Sequence, residues 1–302
     1  MNLVEEYTSW IEFSRIPIKA PVWVAMSIIV AGLVGGLSLV MTFIILHEVT
    51  LLPVAFAIAT LVLLLGYPYM KTESIIDSIE KNFSDALKQM ADTLKAGDTY
   101  ESALREVANA EYGRLSEEMD SALRRLEEGE NLETSLTGFA EKVNSKLVRR
   151  TMTIILDSIR TGASLADILD EISDDVRAIE RIKEERKSNT TMQFMFMALA
   201  GGLIAPAIFG EVNSVMTIFS KVSLKMLATS QLEASQQVTN LILLLIQSYL
   251  IIEVVASGAM MSIIREGKLN KSVIYIPLLL LLAFIAYYAT RAGTAALIGS
   301  AV

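Results

Sequence analysis

A side chain that does chemistry must be a nucleophile, a proton carrier or part of a metal cage, and this sequence is poor in all three. It has no cysteine, which removes disulfides, thiolate catalysis and Cys-ligated zinc or iron–sulfur sites together. Its one histidine, His47, stands beside Glu48 in a short segment between apolar runs, too little for a metal centre or a Ser/His hydrolase, and a structural or incidental use is expected. No G-x-x-x-x-G-K-[ST] occurs, so the chain lacks that phosphate cradle. Carboxylates abound but are spread over helix faces, a poor basis for acid/base catalysis. The expectation is a protein that is not an enzyme, holds no cofactor or metal, and takes its energy from a partner.

One carboxylate stands apart. Glu253 falls in the middle of an apolar run, where a charged residue costs roughly 2.5–3.5 kcal/mol on insertion scales, so it is expected to face other helices and to find a partner or a proton. Ser257, four residues on, shares its face, whereas Gln247, six residues earlier, does not. Glu253 is the candidate functional residue within the membrane; the alternative use is as packing glue.

The elements that would hold these residues are apolar. Of 302 residues 53% are hydrophobic, with a mean hydropathy of +0.48, above what soluble domains carry. Five runs are long enough to cross a bilayer: 22–46, 52–69, 192–210, 238–264 and 273–289, the second and fifth marginally. The first is too long for a signal-peptide core and no A-x-A site follows it, so it reads as a retained anchor. Arg15, Lys19, Lys71, Arg181, Lys183, Arg186, Lys187, Arg265, Lys268 and Lys271 flank one side of the runs; the other side has only Lys221, Lys225, Arg291 and His47. The bias puts the N-terminus and the region between the second and third runs in the cytoplasm and the C-terminus outside.

Small residues recur in the runs: Gly32 and Gly36 in GxxxG spacing, Ala198 and Gly202 four apart, and Ser257, Gly258 and Ala259 together. They allow close helix approach, here expected chiefly within the chain. An outer loop at 211–237 is expected to begin as an interfacial amphipathic helix, because Val212, Val215, Met216, Phe219, Val222 and Met226 recur at helical spacing.

The long polar region, residues 71–190, holds 18 basic and 26 acidic residues and carries the whole net charge of −8. That excess disfavours nucleic acid and points to a basic protein surface as partner; the plainer reading is a charged surface that keeps the domain soluble. Within the region one pattern occurs three times: LKAGDTYESAL (94–104), LEEGENLETSL (126–136) and IRTGASLADIL (159–169). Gly97, Gly129 and Gly162 are suited to end a helix in the left-handed conformation. Thr99, Asn131 and Ser164, two residues later, are suited to cap the next one. The aliphatic residues around each turn would pack across it.

Three such hairpins make six helices, at 73–96, 99–110, 114–128, 131–144, 146–161 and 164–190. In the last, Leu165, Ile168, Leu169, Ile172, Val176, Ile179 and Ile182 form one stripe. With no Gly or Pro from Ser164 to Gly201, a single helix is expected to run into the third apolar run. The organisation is thus a cytoplasmic segment (1–21), two transmembrane helices (22–69), an all-α cytoplasmic bundle (71–190) and three further transmembrane helices (192–302).

Such a bundle, with its repeated G-x-x-aliphatic-x-x-x-L signature and flanking spans, resembles the type II secretion system F family of inner-membrane platform proteins. FSDALKQMADTLKAGDTYESALREVA (83–108) is similar to that family's opening, and LDSIRTGASLADILDEISDDVRAIERIKEERK (156–187) to its closing helices. A single bundle with two spans before and three after it looks more like the shorter TadC-type and archaeal pilus or archaellum platform proteins. The resemblance implies a cell-membrane platform that anchors a cytoplasmic secretion ATPase and couples it to insertion of pilin-like subunits. It also implies self-assembly or pairing with a paralogous platform protein. Glu117, Glu118, Glu127 and Glu128 are the candidate ATPase-binding acids, read as exposed, and Glu253 would draw the charged N-terminus of a pilin helix. Two rival readings are a transporter with a helical regulatory domain, which would show inverted repeats and broken helices, and a membrane-anchored helical scaffold. The repeat spacing approaches tetratricopeptide length without that repeat's aromatic signature.

Overall fold

A computed structural model describes residues 3–46, 51–161, 164–224, 229–269 and 271–299. The helices in chain order are α1 (Leu3–Phe13), α2 (Ala20–Leu46), α3 (Leu52–Lys95), α4 (Tyr100–Asn109), α5 (Arg114–Glu127), α6 (Leu132–Val143), α7 (Lys146–Arg160), α8 (Leu165–Asn189), α9 (Thr191–Leu199), α10 (Ala205–Leu224), α11 (Thr229–Glu266) and α12 (Ser272–Gly299). A π-helical turn, Ala200–Ile204, lies between α9 and α10. The described residues contain no strand. Five helical stretches are long and apolar enough to cross a membrane, making this an all-α integral membrane protein.

The chain divides into two compact units, one of Lys71–Arg186 and the other of Met1–Met70 with Lys187–Val302. Neither boundary falls in a loop. The first lies inside α3, which the sequence reading had split into a span ending at 69 and a separate helix from 73, and the second lies inside α8.

In the Lys71–Arg186 unit, α3 from Lys71 onward, α4, α5, α6, α7 and α8 pack around Ile79, Phe83, Leu87, Leu104, Leu115, Met119, Phe139, Val148, Ile155 and Leu169. The repeat works locally as its chemistry dictates. Gly97 and Gly129 take φ of 93° and 99°. Their amides donate to the Leu94 and Leu126 carbonyls at 3.1 and 3.0 Å, and the next amides, of Asp98 and Glu130, reach back to Thr93 and Arg125 at 3.3 and 3.0 Å. Both turns therefore satisfy the last carbonyls of their helices by the double bond pattern of a left-handed cap. Thr99 Oγ1 and Asn131 Oδ1 then accept from the amides of Ser102 and Thr134, at 3.2 and 2.7 Å. Packing across the turns is less uniform than the pattern implied: Leu126 is buried, Leu94 half-buried, and Tyr100 exposed at 39%.

The α8 stripe is buried at Leu169, Ile172 and Val176 and then emerges, with Ile182 65% exposed. Nor does α8 run unbroken into the next span. One residue, Thr190, separates α8 from α9, and its backbone stays in the right-handed helical region, so the stretch Leu165–Phe219 keeps its helical course. The expected continuous helix thus carries a one-residue irregularity at Thr190 and a π turn further on.

In the other unit, Ala55, Ala59, Val254, Met261, Leu279, Leu280, Ala283 and Phe284 form the core between α3, α11 and α12. Pro68 sits inside α3 and has no N–H for the Leu64 carbonyl; Trp23 Nε1 of α2 supplies the donor at 2.9 Å. Tyr7 Oη of α1 donates to the adjoining Leu65 carbonyl at 3.2 Å. Trp23 stacks on Tyr67 and Trp10 meets Tyr69 edge-on, with centroids 5.7 and 5.0 Å apart, so this end of the first two spans carries an aromatic belt.

Two membrane expectations change. Gly35, not Gly32 or Gly36, makes the close approach, to Ala57 of α3; the GxxxG pair has no heavy atom within 4 Å of where a Cβ would stand. The region expected as an outer loop is largely helical: α10 continues from the third span to Leu224 and α11 begins at Thr229, while Met226 lies outside the described residues.

Candidate functional site

The Lys71–Arg186 unit has two ends of different character. At one end α3 finishes, α8 begins and the Gly97 and Gly129 turns lie. Lys88 and Lys95 of α3 pair with Asp170 of α8 there, Arg160 of α7 pairs with Glu133 of α6, and Arg105 of α4 pairs with Glu127 of α5 at 2.6 Å. At the other end, Glu80 of α3 accepts from Lys183 Nζ of α8 and from Ser145 Oγ at the start of α7, both at 2.5 Å.

Dividing every helix between these ends separates the charge. The segments 83–106, 120–138 and 153–176 hold 16 acidic and 6 basic residues, net −10. The segments 71–82, 107–119, 139–152 and 177–186 hold 10 acidic and 11 basic residues, net +1. The acidity that the sequence assigned to the whole region therefore belongs to the turn-bearing end.

This separates the four candidate acids. Glu127 and Glu128 are exposed at the acidic end, where Glu128 precedes Gly129 and Glu127 is held by Arg105. Glu117 is exposed in the other half and pairs with Arg114 at 2.9 Å. Glu118 is not exposed as expected: it is 3% accessible, clamped by Arg114 Nη2 at 2.9 Å and Lys142 Nζ at 2.6 Å. It sits three residues after Leu115 and four before Ala122, both buried, so helical spacing turns it inward. That spacing was the available signal, and Glu118 ties α5 to α6 instead of offering a surface.

A second ladder joins α3 and α8, with Arg177 to Asp85 at 2.8 Å and Lys81 to Glu184 at 3.9 Å beside the Asp170 and Glu80 contacts. The hydrogen bonds from Lys88 and then Lys95 hold the Asp170 carboxyl below the ordinary carboxylate range, and the same Asp170 contact raises Lys88. Gly162 and His47 lie outside the described residues.

In the membrane unit Glu253 is half-buried on α11, and its Oε2 is buried with no hydrogen-bond partner. The neighbouring polar residues are used elsewhere. Gln247 accepts from the Leu51 amide at 3.2 Å and donates to Tyr288 Oη at 3.4 Å; buried Asn213 donates to Tyr287 Oη; and Thr294 Oγ1 lies 2.9 Å from both oxygens of Glu211. Asn213 and Tyr287 were not singled out in the sequence, since a lone Asn in an amphipathic pattern gives no sign of a partner 74 residues away. Among the described residues no three His, Asp or Glu gather as a metal cage.

Residues 86–210 match the family model for the type II secretion system (T2SS), protein F, in agreement with the resemblance seen in the repeats. The matched stretch runs from the last ten residues of α3 through the turn-bearing hairpins to α10. No curated protein and no solved structure matches the chain.

Proposed function

We propose that this chain, a membrane protein consistent with the protein F family of type II secretion systems over residues 86–210, is the platform on which a cytoplasmic secretion ATPase of a type IV pilus-like machine assembles. The Lys71–Arg186 unit faces the cytoplasm with the N-terminus, and the C-terminus lies outside, in keeping with the basic residues beside the spans. The ATPase supplies the energy and the platform passes its cycle to pilin-like subunits in the membrane. The platform is an adaptor and not an enzyme, and it works as a homo-oligomer or with a paralogous platform protein.

The observation that carries the reading is the concentration of 16 acids against 6 basic residues at the end bearing the Gly97 and Gly129 turns. A basic ATPase surface meets that end, where Glu127 and Glu128 stand. Pull-down from native membranes tests this: the wild-type chain is expected to recover a hexameric secretion ATPase, and the E127K/E128K variant to lose it, with salt weakening the wild-type complex. Unchanged recovery by E127K/E128K moves the interface elsewhere. Substrate uptake by the purified protein alone in vesicles favours the transporter reading instead.

A further inference from the structure

Among the described residues Glu253 has no counter-charge. Residues 20–46, 51–70, 188–220, 226–264 and 272–290 contain no Lys, Arg or His, so no basic residue can reach the buried Oε2 at mid-span. An uncompensated carboxylate in this setting is costly, and whatever offsets it must bring one positive charge.

The surroundings of Glu253 supply further oxygens. On α11, Tyr249 packs against Phe209 with ring centroids 5.2 Å apart, and Ser257 Oγ lies 2.7 Å from where a Cβ on Gly201 would stand. Glu253 is one helical turn from each, so it lies on the same face and meets the third span between Gly201 and Phe209. The third span is irregular there. The Ala205 amide donates to the Ala200 carbonyl, five residues back, and Pro206 has no amide to offer. One carbonyl of Gly201 or Gly202 is thereby left without its helical donor. A carboxylate, a hydroxyl and a freed peptide carbonyl thus share one level of the membrane unit.

We propose that Glu253, Ser257 and the carbonyl freed at the π turn bind one small monovalent cation, a proton or a sodium ion. One carboxylate matches one charge, and a divalent ion would leave an excess. The other titratable groups facing this level do not compete. Tyr249 is on the same helix, and α12 contributes Tyr275, Tyr287 and Tyr288, of which Tyr287 and Tyr288 accept from Asn213 and Gln247. The third span and α3 contribute none over the facing segments, and Arg265 is three turns away with its guanidinium carbon 4.5 Å over the Phe194 ring.

The site does not depend on the ATPase reading and is tested on the purified full-length chain in lipid vesicles. Dicyclohexylcarbodiimide reacts with protonated carboxyl groups inside membranes: the carboxyl oxygen adds to the carbodiimide carbon and its proton passes to nitrogen. The adduct is read residue by residue by mass spectrometry. A Glu253 adduct, absent from E253Q, is expected, forming about tenfold more slowly per pH unit once the pH exceeds the site's own midpoint. If sodium is the ligand, sodium chloride but not choline chloride protects at fixed pH, and S257A raises the sodium needed for half-protection about tenfold, the equivalent of one charge-assisted contact. If the ligand is a proton, pH alone controls labelling. Labelling that ignores both pH and sodium overturns the proposal, as does no Glu253 adduct while Glu211, just past the third span, is modified.

Discussion

At Gly129 the α5 helix ends because a residue without a side chain turns left-handed and its amide and the next return to the helix's last carbonyls. At Pro68 the α3 helix does not end, although a carbonyl has lost its donor, because Trp23 on the neighbouring helix supplies one. The first repair is local and leaves the chain free to reverse into water. The second is made between helices, by a side chain 41 residues away in sequence. The two units differ in charge in the same sense. The polar unit answers its buried carboxylate, Glu118, with Arg114 and Lys142, whereas the membrane unit leaves Glu253 unanswered. The helix ends at Gly97 and Gly129 are closed locally, whereas the gap at Pro68 is closed between helices.

The largest effect comes from a buried group that the polar unit, too, closes between helices. Removing one partner of a buried ion pair strands the other, at a cost of about 3–5 kcal/mol. Arg114→Ala leaves Glu118 with Lys142 alone and is expected to lower the unfolding midpoint of the purified protein by that order, whereas Glu117→Ala, which removes the exposed partner of the same arginine, changes it little. Equal effects of the two would mean that Glu118 is not closed off from water.

Next is the repaired proline. Trp23→Phe keeps the ring on Tyr67 and deletes the donor to the Leu64 carbonyl, so thermal unfolding in lipid nanodiscs is expected to show a loss of about 1–3 kcal/mol. In the Trp23→Phe background, Pro68→Ala restores an amide to the helix and is expected to recover much of that loss. Smaller again is Gly129→Ala, which forces a side chain into the left-handed region at about 1–2 kcal/mol, with open space around the added Cβ so that no clash adds to it.

This contrast also sets what was legible in the sequence. Gly97, Gly129, Thr99 and Asn131 could be read because a cap is made by residues within one turn of it. The five apolar spans could be read because a helix in lipid must be long and apolar. Glu118 was misplaced because an acid in a charged helix was counted as surface, though its spacing from Leu115 and Ala122 put it inside. The irregularity at Thr190 has no Gly or Pro beside it to mark it in the sequence. Trp23 with Pro68, Asn213 with Tyr287, and the gathering of acids at one end depend on which helices become neighbours, and no local pattern carries that.

The smallest effect is a matter of pH. Asp170 is half-buried, its bonds to Lys88 and Lys95 join the end of α3 to the start of α8, and its carboxyl is held below the ordinary carboxylate range. A carboxyl whose folded value lies below its unfolded one stabilises the fold above the unfolded value, and this contribution fades as the pH falls through the folded one. Asp170→Asn should therefore unfold slightly more easily than wild type at neutral pH, and the difference should shrink in acid until the two curves meet. Because the pair is partly open to solvent, high salt at neutral pH should shrink the difference as well. A gap that persists in both acid and salt would mean that Asp170 acts through packing, and that this half-buried clamp resembles the membrane unit's repairs.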